Sequence, residues 1–300
     1  MRDLGTLGGP DAGPTENCSV ERNGLVTGQS LMSSVPNPDT GIPTVHPFLW
    51  ENGKMIDLGT LGGTILDDRQ CVNNRGQVAG GSYLAGNSII HPFLWEHGVL
   101  TDLGTLGGDN GRVRWINDAG EVVGNADLPG SENHHAFLWR NGVMIDLGTL
   151  GSSSTAHAIN SHSQVVGRSK PGPLDSSLQH AFLWENGGPM IDLNTVIPAN
   201  STLELFEGLN INDRGEIMGL GFPPGCDDLG ACGHVFVLIP CHSGDGCENA
   251  AGIQNTAALI SNKASLTSTQ ARSRSMQMLL PWRSRLAQRY HIPGLGAPRD

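Results

Sequence analysis

Short apolar segments alternate with turn-forming residues along the first 240 positions. One segment ends at Trp50, is followed by Asn52-Gly53, and is continued by a second segment that starts at Met55. Asn-Gly is the strongest signal for a two-residue hairpin turn, because both central positions need positive φ. The pattern therefore predicts an antiparallel pair in which Trp50 faces Met55 and Phe48 faces Asp57.

A second hairpin is predicted from segments such as Ile116 to Val123. Two short apolar stretches flank Asp118-Ala119-Gly120, a spacing that fits a type I turn followed by glycine in the left-handed region. In one copy of this segment Ser163 takes the place of the glycine, so slight strain is expected there. A different copy of the first hairpin has an extra residue, at 186–188, which predicts a bulge.

These hairpins belong to an internal repeat, which is the main signal of the sequence. Asp-Leu-Gly-Thr-Leu-Gly begins at Asp3, Asp57, Asp102 and Asp146, with a degenerate copy at Asp192. A His-Pro/Ala-Phe-Leu-Trp segment begins at His46, His91, His135 and His180, with a degenerate copy at His234. Each unit also holds a Val-Val-Gly-like strand that ends at Gly28, Gly80, Gly124, Gly167 or Gly219. Five units of about 45 residues fill the region.

Four short strands in each unit of this length predict an all-β fold, a β-propeller-like ring of about five four-stranded blades. The region starts with a second hairpin strand, residues 3–7, and ends with a first hairpin strand, residues 234–240. Pairing these two would complete the fifth blade and close the ring, which removes two open strand edges. We expect closure; the alternative is an open array of blades.

The chain divides in composition near residue 241. Residues 1–241, the predicted propeller, hold 26 acidic and 11 basic side chains, whereas residues 242–300 hold 3 and 7. We expect the second segment to be a basic, partly disordered tail with a short helix at 274–290. An acidic main body disfavours nucleic acid as a partner, because phosphate binding needs a basic face.

Overall composition agrees with a chain of strands and turns. Glycine makes up 42 of 300 residues, or 14%, twice the usual ~7%, and only 16% of residues are charged. Long exposed helices need more charged residues and more alanine than this. No run of about 18 apolar residues is present, so no transmembrane segment is expected.

The recurring motifs resemble those of the HAF-repeat family of probable extracellular bacterial repeat proteins. The resemblance is carried by His-Ala-Phe-Leu-Trp, Asp-Leu-Gly-Thr-Leu-Gly-Gly and Ile-Asn-Asp-x-Gly-x-Val-Val-Gly, in fixed order over residues 1–240. It implies secretion and propeller-like repeats, and it brings no established activity and no catalytic residues. No signal-peptide pattern precedes the first repeat in this chain.

The repeated histidines and aspartates have two interpretations. A ring of five histidines could bind a metal or an anion, but ligands must converge within ~2.0–2.2 Å of one ion. Each histidine also lies diagonally across its own hairpin from its aspartate. We therefore predict a structural His–Asp hydrogen bond inside each blade, and expect no metal and no cofactor.

Candidate ligand contacts lie in the loops before each repeated histidine, because loops on a rigid scaffold carry most binding sites. The first of these loops is the longest. Trp115 is added because it departs from the repeat: other units have Cys71 or Ala158 at the equivalent position. The candidates are Asn37, Asp39, Asn87, Trp115, Glu132 and Asp175.

Cysteine usage points to an oxidising compartment. Four of six cysteines lie close together, at Cys226, Cys232, Cys241 and Cys247, with spacing unlike that of a zinc finger. Disulfides are expected, and Cys226–Cys232 with Cys241–Cys247 is the favoured one of three connectivities. Cys18 and Cys71 are either free or paired between neighbouring blades.

Together these features predict a secreted, monomeric, non-catalytic propeller that binds or scaffolds an unknown extracellular ligand, either a glycan or a protein. No Gly-x-Ser-x-Gly, His-Glu-x-x-His or phosphate-loop motif is present. The alternative is a propeller-based hydrolase or lyase that acts on extracellular polysaccharide. Its carboxylates would be sought among acids outside the repeat, such as Glu132, Asp175, Glu204 and Glu207.

Overall fold

Regular structure in the described residues is almost entirely β-strand. The structure, a computed structural model, describes residues 2–15, 18, 23–130, 133–173, 178–197, 201–226 and 232–240. Their strands form five antiparallel sheets, one for each sequence repeat, and each sheet packs against the next. The fold is all-β and of the propeller type that the sequence predicts.

Each of the first four sheets has four strands in sequence order, and the fifth has three. Sheet 1 consists of β1 (Ala12–Pro14), β2 (Val26–Leu31), β3 (Val45–Glu51) and β4 (Lys54–Asp57). Sheet 2 consists of β5 (Gly62–Val72), β6 (Val78–Leu84), β7 (Ile90–Glu96) and β8 (Val99–Asp102). Sheet 3 consists of β9 (Gly111–Ile116), β10 (Val122–Asp127), β11 (His134–Arg140) and β12 (Val143–Asp146). Sheet 4 consists of β13 (Ser154–Ile159), β14 (Val165–Ser169), β15 (His180–Trp184) and β16 (Ile191–Asp192). Sheet 5 consists of β17 (Glu204–Ile211), β18 (Ile217–Phe222) and β19 (His234–Leu238).

The outer hairpins have the register that their turns predict. Phe48 pairs with Asp57 and Trp50 with Met55. Asn52 and Gly53 at the turn have φ of 49° and 88°, as a turn of this class requires. In sheet 4 the extra residue lengthens the turn, and a hydrogen bond from the Gly188 amide to the Glu185 carbonyl closes it. Ser163 has φ of 58°, the left-handed conformation expected at this position.

A glycine and a phenylalanine face each other at the centre of every sheet. In sheet 3, Gly124 on β10 pairs with Phe137 on β11, and a Cβ at Gly124 would lie 3.1 Å from the ring. It would also overlap the carbonyl oxygen of Arg112 on β9. Side chains larger than hydrogen therefore do not fit here, because the ring and the first strand close on the glycine from both sides.

The close approach of the first strand comes from a β-bulge opposite this glycine. In sheet 3, Val123 pairs with Trp115 and Gly124 with Val113, which leaves Arg114 as the extra residue. Sheet 4 has the same irregularity at His157, and sheet 5 has it at Leu209. A bulge turns the side chain of the extra residue away from the regular alternation of the strand. The same position of the repeat is thus irregular in three consecutive first strands.

Side-chain amides join consecutive sheets. The side-chain amide of Asn73 donates to the Asn117 carbonyl at 2.9 Å, that of Asn117 to the Asn160 carbonyl at 3.0 Å, and that of Asn160 to the Asn212 carbonyl at 3.0 Å. Each side-chain oxygen also accepts backbone N–H groups of its own turn, as Asn117 does from Ala119. Because these groups are buried or half-buried, losing one partner would leave a costly unsatisfied polar group.

The two ends of the array are not paired, so the expected ring closure is not observed. Residues 3–7 form no strand, and β19 pairs only with β18 among the described residues. Leu4 is half-buried, whereas its counterpart Leu58 is buried. Closure would require the two ends of the array to pair although no turn connects them. Bringing the ends together costs loop-closure entropy, and no local turn reduces that cost. Val235 and Val237 consequently remain 62% and 48% exposed on the last sheet.

Cys18 and Cys71 form a disulfide between the segment after β1 and the first strand of sheet 2, with 4.6 Å between their Cα atoms. The pairing is the inter-blade alternative that the sequence left open. The bridge closes a loop of 53 residues, which in the chain-entropy model contributes about 4 kcal/mol to the free energy of unfolding. The disulfide supports the junction between sheets 1 and 2.

The predicted helix at 274–290 and the basic tail lie outside the described residues. Within the part of the chain that the structure describes, no helix is long and apolar enough to span a membrane.

Replacing Gly124 with alanine should lower the free energy of unfolding by about 3 kcal/mol or more, because the new methyl group meets both the Phe137 ring and the Arg112 carbonyl. Urea unfolding of the full chain measures the loss. Gly13→Ala is the matched control, because a Cβ there meets no atom within 4 Å. Equal stability of the two variants would show that the glycine–phenylalanine contact is not tight.

Candidate functional site at the inner edge of the sheets

The repeated histidines are engaged in local hydrogen bonds. Nδ1 of the histidine lies 2.7 to 2.9 Å from a carboxylate oxygen of the aspartate in the same hairpin in each of the first four sheets. The pairs are His46–Asp57, His91–Asp102, His135–Asp146 and His180–Asp192. The fifth pair would be His234 with Asp3, at the two unpaired ends. His234 is exposed, and the Asp3 carboxylate accepts the amide of Gly5 at 3.0 Å.

The aspartate of each pair also caps a turn. The Asp57 carboxylate accepts a hydrogen bond from the amide of Gly59 at 2.8 Å. Asp102 and Asp146 likewise each accept one from the amide of the glycine two residues later in the chain. Gly59 has φ of 75°, a conformation that glycine adopts without strain. The His–Asp pairs therefore hold the link between one sheet and the next. They lie in separate hairpins, and no group of His, Cys, Asp and Glu among the described residues is arranged to hold a metal ion.

Two of the loop candidates stabilise their own loops. The Asn87 side chain accepts the Thr64 amide at 2.8 Å and donates to the Thr64 hydroxyl at 2.9 Å. The Asn37 side chain accepts the Asp39 amide at 2.9 Å, and Asp39 itself is exposed. Glu132 and Asp175 lie outside the described residues. The loops therefore do not bring these candidates together.

Charged residues meet instead at the inner edge, where the first strands of consecutive sheets lie side by side. Contacts link β5 to β9, β9 to β13 and β13 to β17. We call this set of ionisable residues the inner-edge cluster. Its members are Asp67, Arg69, Arg112, Arg114, His157, Arg168 and Glu207. These residues come from sheets 2 to 5, so only the packed array assembles them.

Two ion pairs cross sheet boundaries within the inner-edge cluster. Arg112 Nη1 lies 3.1 Å from Asp67 Oδ1, and Arg168 Nη1 lies 3.3 Å from Glu207 Oε2. Both carboxylates are buried, whereas the two arginine side chains are 41% and 36% exposed. Burial is the largest cause of the raised pKa of both Asp67 and Glu207, and the neighbouring arginines oppose it. The cluster is thus reachable from solvent through its arginines.

A cavity of 160 Å³ opens beside these ion pairs. It is lined by Arg114, Trp115, His157 and Leu209. Three of the four are the extra residues at the bulges of β9, β13 and β17, so the irregular position of the repeat builds most of the wall. The fourth is Trp115, the one candidate that was chosen because it departs from the repeat and not because it lies in a loop. Bulges are frequent next to binding and catalytic sites because they redirect side chains.

Two buried polar atoms near the cavity have no hydrogen-bond partner in the described part of the chain: Arg114 Nε and His157 Nδ1. His157 Nδ1 lies 3.8 Å from Glu207 Oε2, beyond hydrogen-bond distance. Buried polar groups in native proteins are normally satisfied by protein or by bound molecules. Both atoms belong to residues that line the cavity.

Electrostatics at the cavity favour negative charge. Burial, with the nearby charges of Arg69 and Arg168, lowers the pKa of Arg114 to about 10, so its guanidinium is still charged at neutral pH. Burial and the charges of Arg168 and Arg114 lower the pKa of His157 to about 3. His157 is consequently a neutral imidazole, able to donate from one ring nitrogen and accept at the other.

Sequence reasoning missed most of the inner-edge cluster. It singled out Trp115 and Glu207 because they depart from the repeat, but the residue directly before Trp115 was not considered. Aligned units place Arg114, His157 and Leu209 at one position, where the chemistry differs in every copy. Variation at a fixed position of the repeat could have identified these residues from the sequence. The ion pairs between sheets could not be predicted from the sequence, because they depend on how the sheets pack.

The second cysteine group is only partly described. Cys226 and Cys232 form a disulfide that closes a loop of six residues, with 6.2 Å between their Cα atoms. The sequence favoured this pairing. Cys241 and Cys247 lie outside the described residues. The disulfide holds the connection between β18 and β19.

Comparisons with solved structures return β-propellers at low sequence identity. The β-propeller domain of the trilobed protease from Pyrococcus furiosus matches with a TM-score of 0.46 and 9% identity over 76% of this chain and 68% of that chain. TolB from Acinetobacter baumannii matches with a TM-score of 0.44 and 10% identity over 72% and 49% of the respective chains. An acylaminoacyl peptidase from Pyrococcus horikoshii gives 0.43 and 10% over 71% and 34%. No family model and no curated protein sequence matches the chain.

The low pKa of His157 makes stability depend on pH. Between about pH 6.5 and pH 3 the unfolded chain binds a proton at this histidine and the native protein does not, so stability falls as the pH falls. Relative to His157→Gln, the wild-type protein should lose about 1.4 kcal/mol per pH unit below pH 6. Urea unfolding at pH 7, 6 and 5 measures this. Parallel pH profiles for the two proteins would contradict a neutral, buried imidazole.

Proposed function

We propose that this chain is an exported, non-catalytic repeat module of the HAF type, acting as a monomer, that binds an extracellular glycan or protein at the inner edge of its sheets. The observation that carries the proposal is the cavity lined by Arg114, Trp115, His157 and Leu209. Its wall includes the bulged residues of three consecutive first strands, and Arg114 Nε and His157 Nδ1 have no hydrogen-bond partner among the described residues. Ligand sites commonly combine apolar walls with a few convergent polar groups.

Binding is favoured over catalysis by the state of the polar groups. Glu207 is held by Arg168 at 3.3 Å and lies 3.8 Å from His157. A histidine whose pKa is lowered to about 3 is a poor general base near neutral pH, since efficient catalysis needs a pKa near the working pH. Among the described residues that line the cavity there is no Ser, Thr or Cys. The arrangement is therefore that of a polar contact surface.

Export is supported by covalent structure. Cys18–Cys71 and Cys226–Cys232 are both disulfides, which persist in oxidising compartments and are rare in the cytosol. The HAF-type motifs point to the same location. The observations that support export are thus independent of the observations that support binding.

A polysaccharide hydrolase or lyase is the competing function. It is favoured by Glu207, whose pKa is raised by burial, because a protonated carboxyl group can act as a general acid. Glycoside hydrolysis by the common two-carboxylate mechanism also needs a second carboxylate ~5–9 Å away. Asp67 is the other buried carboxylate of the inner-edge cluster, and it is paired with Arg112.

A glycan array combined with a reducing-end release assay separates the two functions. The binding function predicts retention of one glycan class with no release of reducing ends, for both the wild-type protein and Glu207→Gln. Glu51→Gln, at the end of β3 in sheet 1, is the matched control and should bind as the wild type does. Release of reducing ends that is lost in Glu207→Gln and kept in Glu51→Gln would replace the binding function with the hydrolytic one.

A further inference from the structure

Positive charge exceeds negative charge in the inner-edge cluster. Arg69, Arg112, Arg114 and Arg168 carry four positive charges, and Asp67 and Glu207 supply at most two negative charges. Including the exposed Asp68 still leaves one positive charge in excess. The whole chain has a net charge of −11, so this local excess runs against the general composition. A local excess of positive charge in a cleft attracts negatively charged ligands.

Arg114 is the cation that the protein leaves available. Arg112 and Arg168 are each paired with a carboxylate, whereas no ion pair of Arg114 is found within the described residues and its Nε has no hydrogen-bond partner. Repulsion from Arg69 and Arg168 adds to the cost of its charge. A guanidinium binds a planar carboxylate through two parallel N–H···O hydrogen bonds, which fixes the position of the ligand.

The other walls define the rest of the ligand. Trp115 offers an aromatic surface and Leu209 an aliphatic one, while His157 offers a neutral hydrogen-bonding nitrogen. The volume of 160 Å³ is well below the ~300–1,000 Å³ of pockets for drug-sized ligands. The cavity therefore fits a single ring with a charged substituent and hydroxyl groups.

We propose that the cavity binds the carboxylate and ring of a uronic acid residue, either free or at the end of an acidic polysaccharide. Arg114 binds the carboxylate, His157 hydrogen-bonds a ring hydroxyl, and Trp115 contacts the face of the ring. The proposal rests on the proposed binding function and adds the class of ligand. A metal cation is disfavoured by the excess of positive charge, and a bare inorganic anion would leave the Trp115 and Leu209 walls without contact.

Isothermal titration calorimetry of the full chain with D-glucuronate, D-glucose and inorganic phosphate tests the class. Glucuronate should bind, glucose should bind about tenfold or more weakly because it lacks the carboxylate, and phosphate should also bind more weakly because it lacks the ring. An oligomer of glucuronate distinguishes the two sources: tighter binding than the monomer indicates a polysaccharide end, and equal binding indicates the free acid.

Variants locate the site. Arg114→Gln should weaken glucuronate binding about tenfold or more, and Trp115→Leu should weaken glucuronate binding while leaving phosphate binding unchanged. Arg75→Gln, on the exposed turn after β5, is the matched control and should bind as the wild type does. Thermal unfolding establishes that each variant is folded, and Arg114→Lys, which keeps the charge, replaces Arg114→Gln if the latter fails to fold.

The outcomes separate this proposal from the proposed function. Glycan binding on the array that is unaffected by Arg114→Gln would overturn the site while the binding function stands. Phosphate binding as tight as glucuronate binding would overturn the sugar-acid class. Hydrolysis of any glycan would overturn the binding function itself.

Discussion

The contact between a glycine and a phenylalanine ring at the centre of each sheet governs the rest of the structure. Gly124 lies between the Phe137 ring and the Arg112 carbonyl, and Gly167 and Gly219 lie in the same surroundings in their sheets. Because the glycine has no side chain, the first strand can approach closely enough to form a bulge. The bulge in turn directs Arg114, His157 and Leu209 to one cavity. The glycine of the repeat thus permits the irregular position that carries the candidate site in sheets 3, 4 and 5.

Most repeated polar residues are used by the fold. The histidine–aspartate pairs hold the links between sheets, and the asparagine amides join one turn to the next, as between Asn117 and Asn160. Groups with satisfied hydrogen bonds have little capacity left for a ligand. Specific recognition must therefore come from positions where the units differ, and the inner-edge cluster is the set of such positions that packing brings together.

Much of the fold could be predicted from the sequence because its signals are local. The Asn52-Gly53 turn determines the register of its hairpin, and the spacing from His46 to Asp57 determines their hydrogen bond. The predicted pairing of residues 3–7 with residues 234–240 is not seen among the described residues; it would join two ends of the array that no turn connects, so no local signal encodes it. The candidate site was predicted only at Trp115 and Glu207. The remaining members, four arginines, Asp67 and His157, carry no distinguishing local signal, because only the packing of the sheets brings them together.

Hydrogen–deuterium exchange of the full chain, with and without an acidic oligosaccharide that it binds, is the most direct test of the division between a structural repeat and an inner-edge site. We predict that the ligand slows exchange in peptides covering β9, β13 and β17, where Arg114, His157 and Leu209 lie. Exchange in the loops that hold Asn37 and Asn87 should be unchanged. Protection confined to those loops, with no change in β9, β13 and β17, would contradict the account.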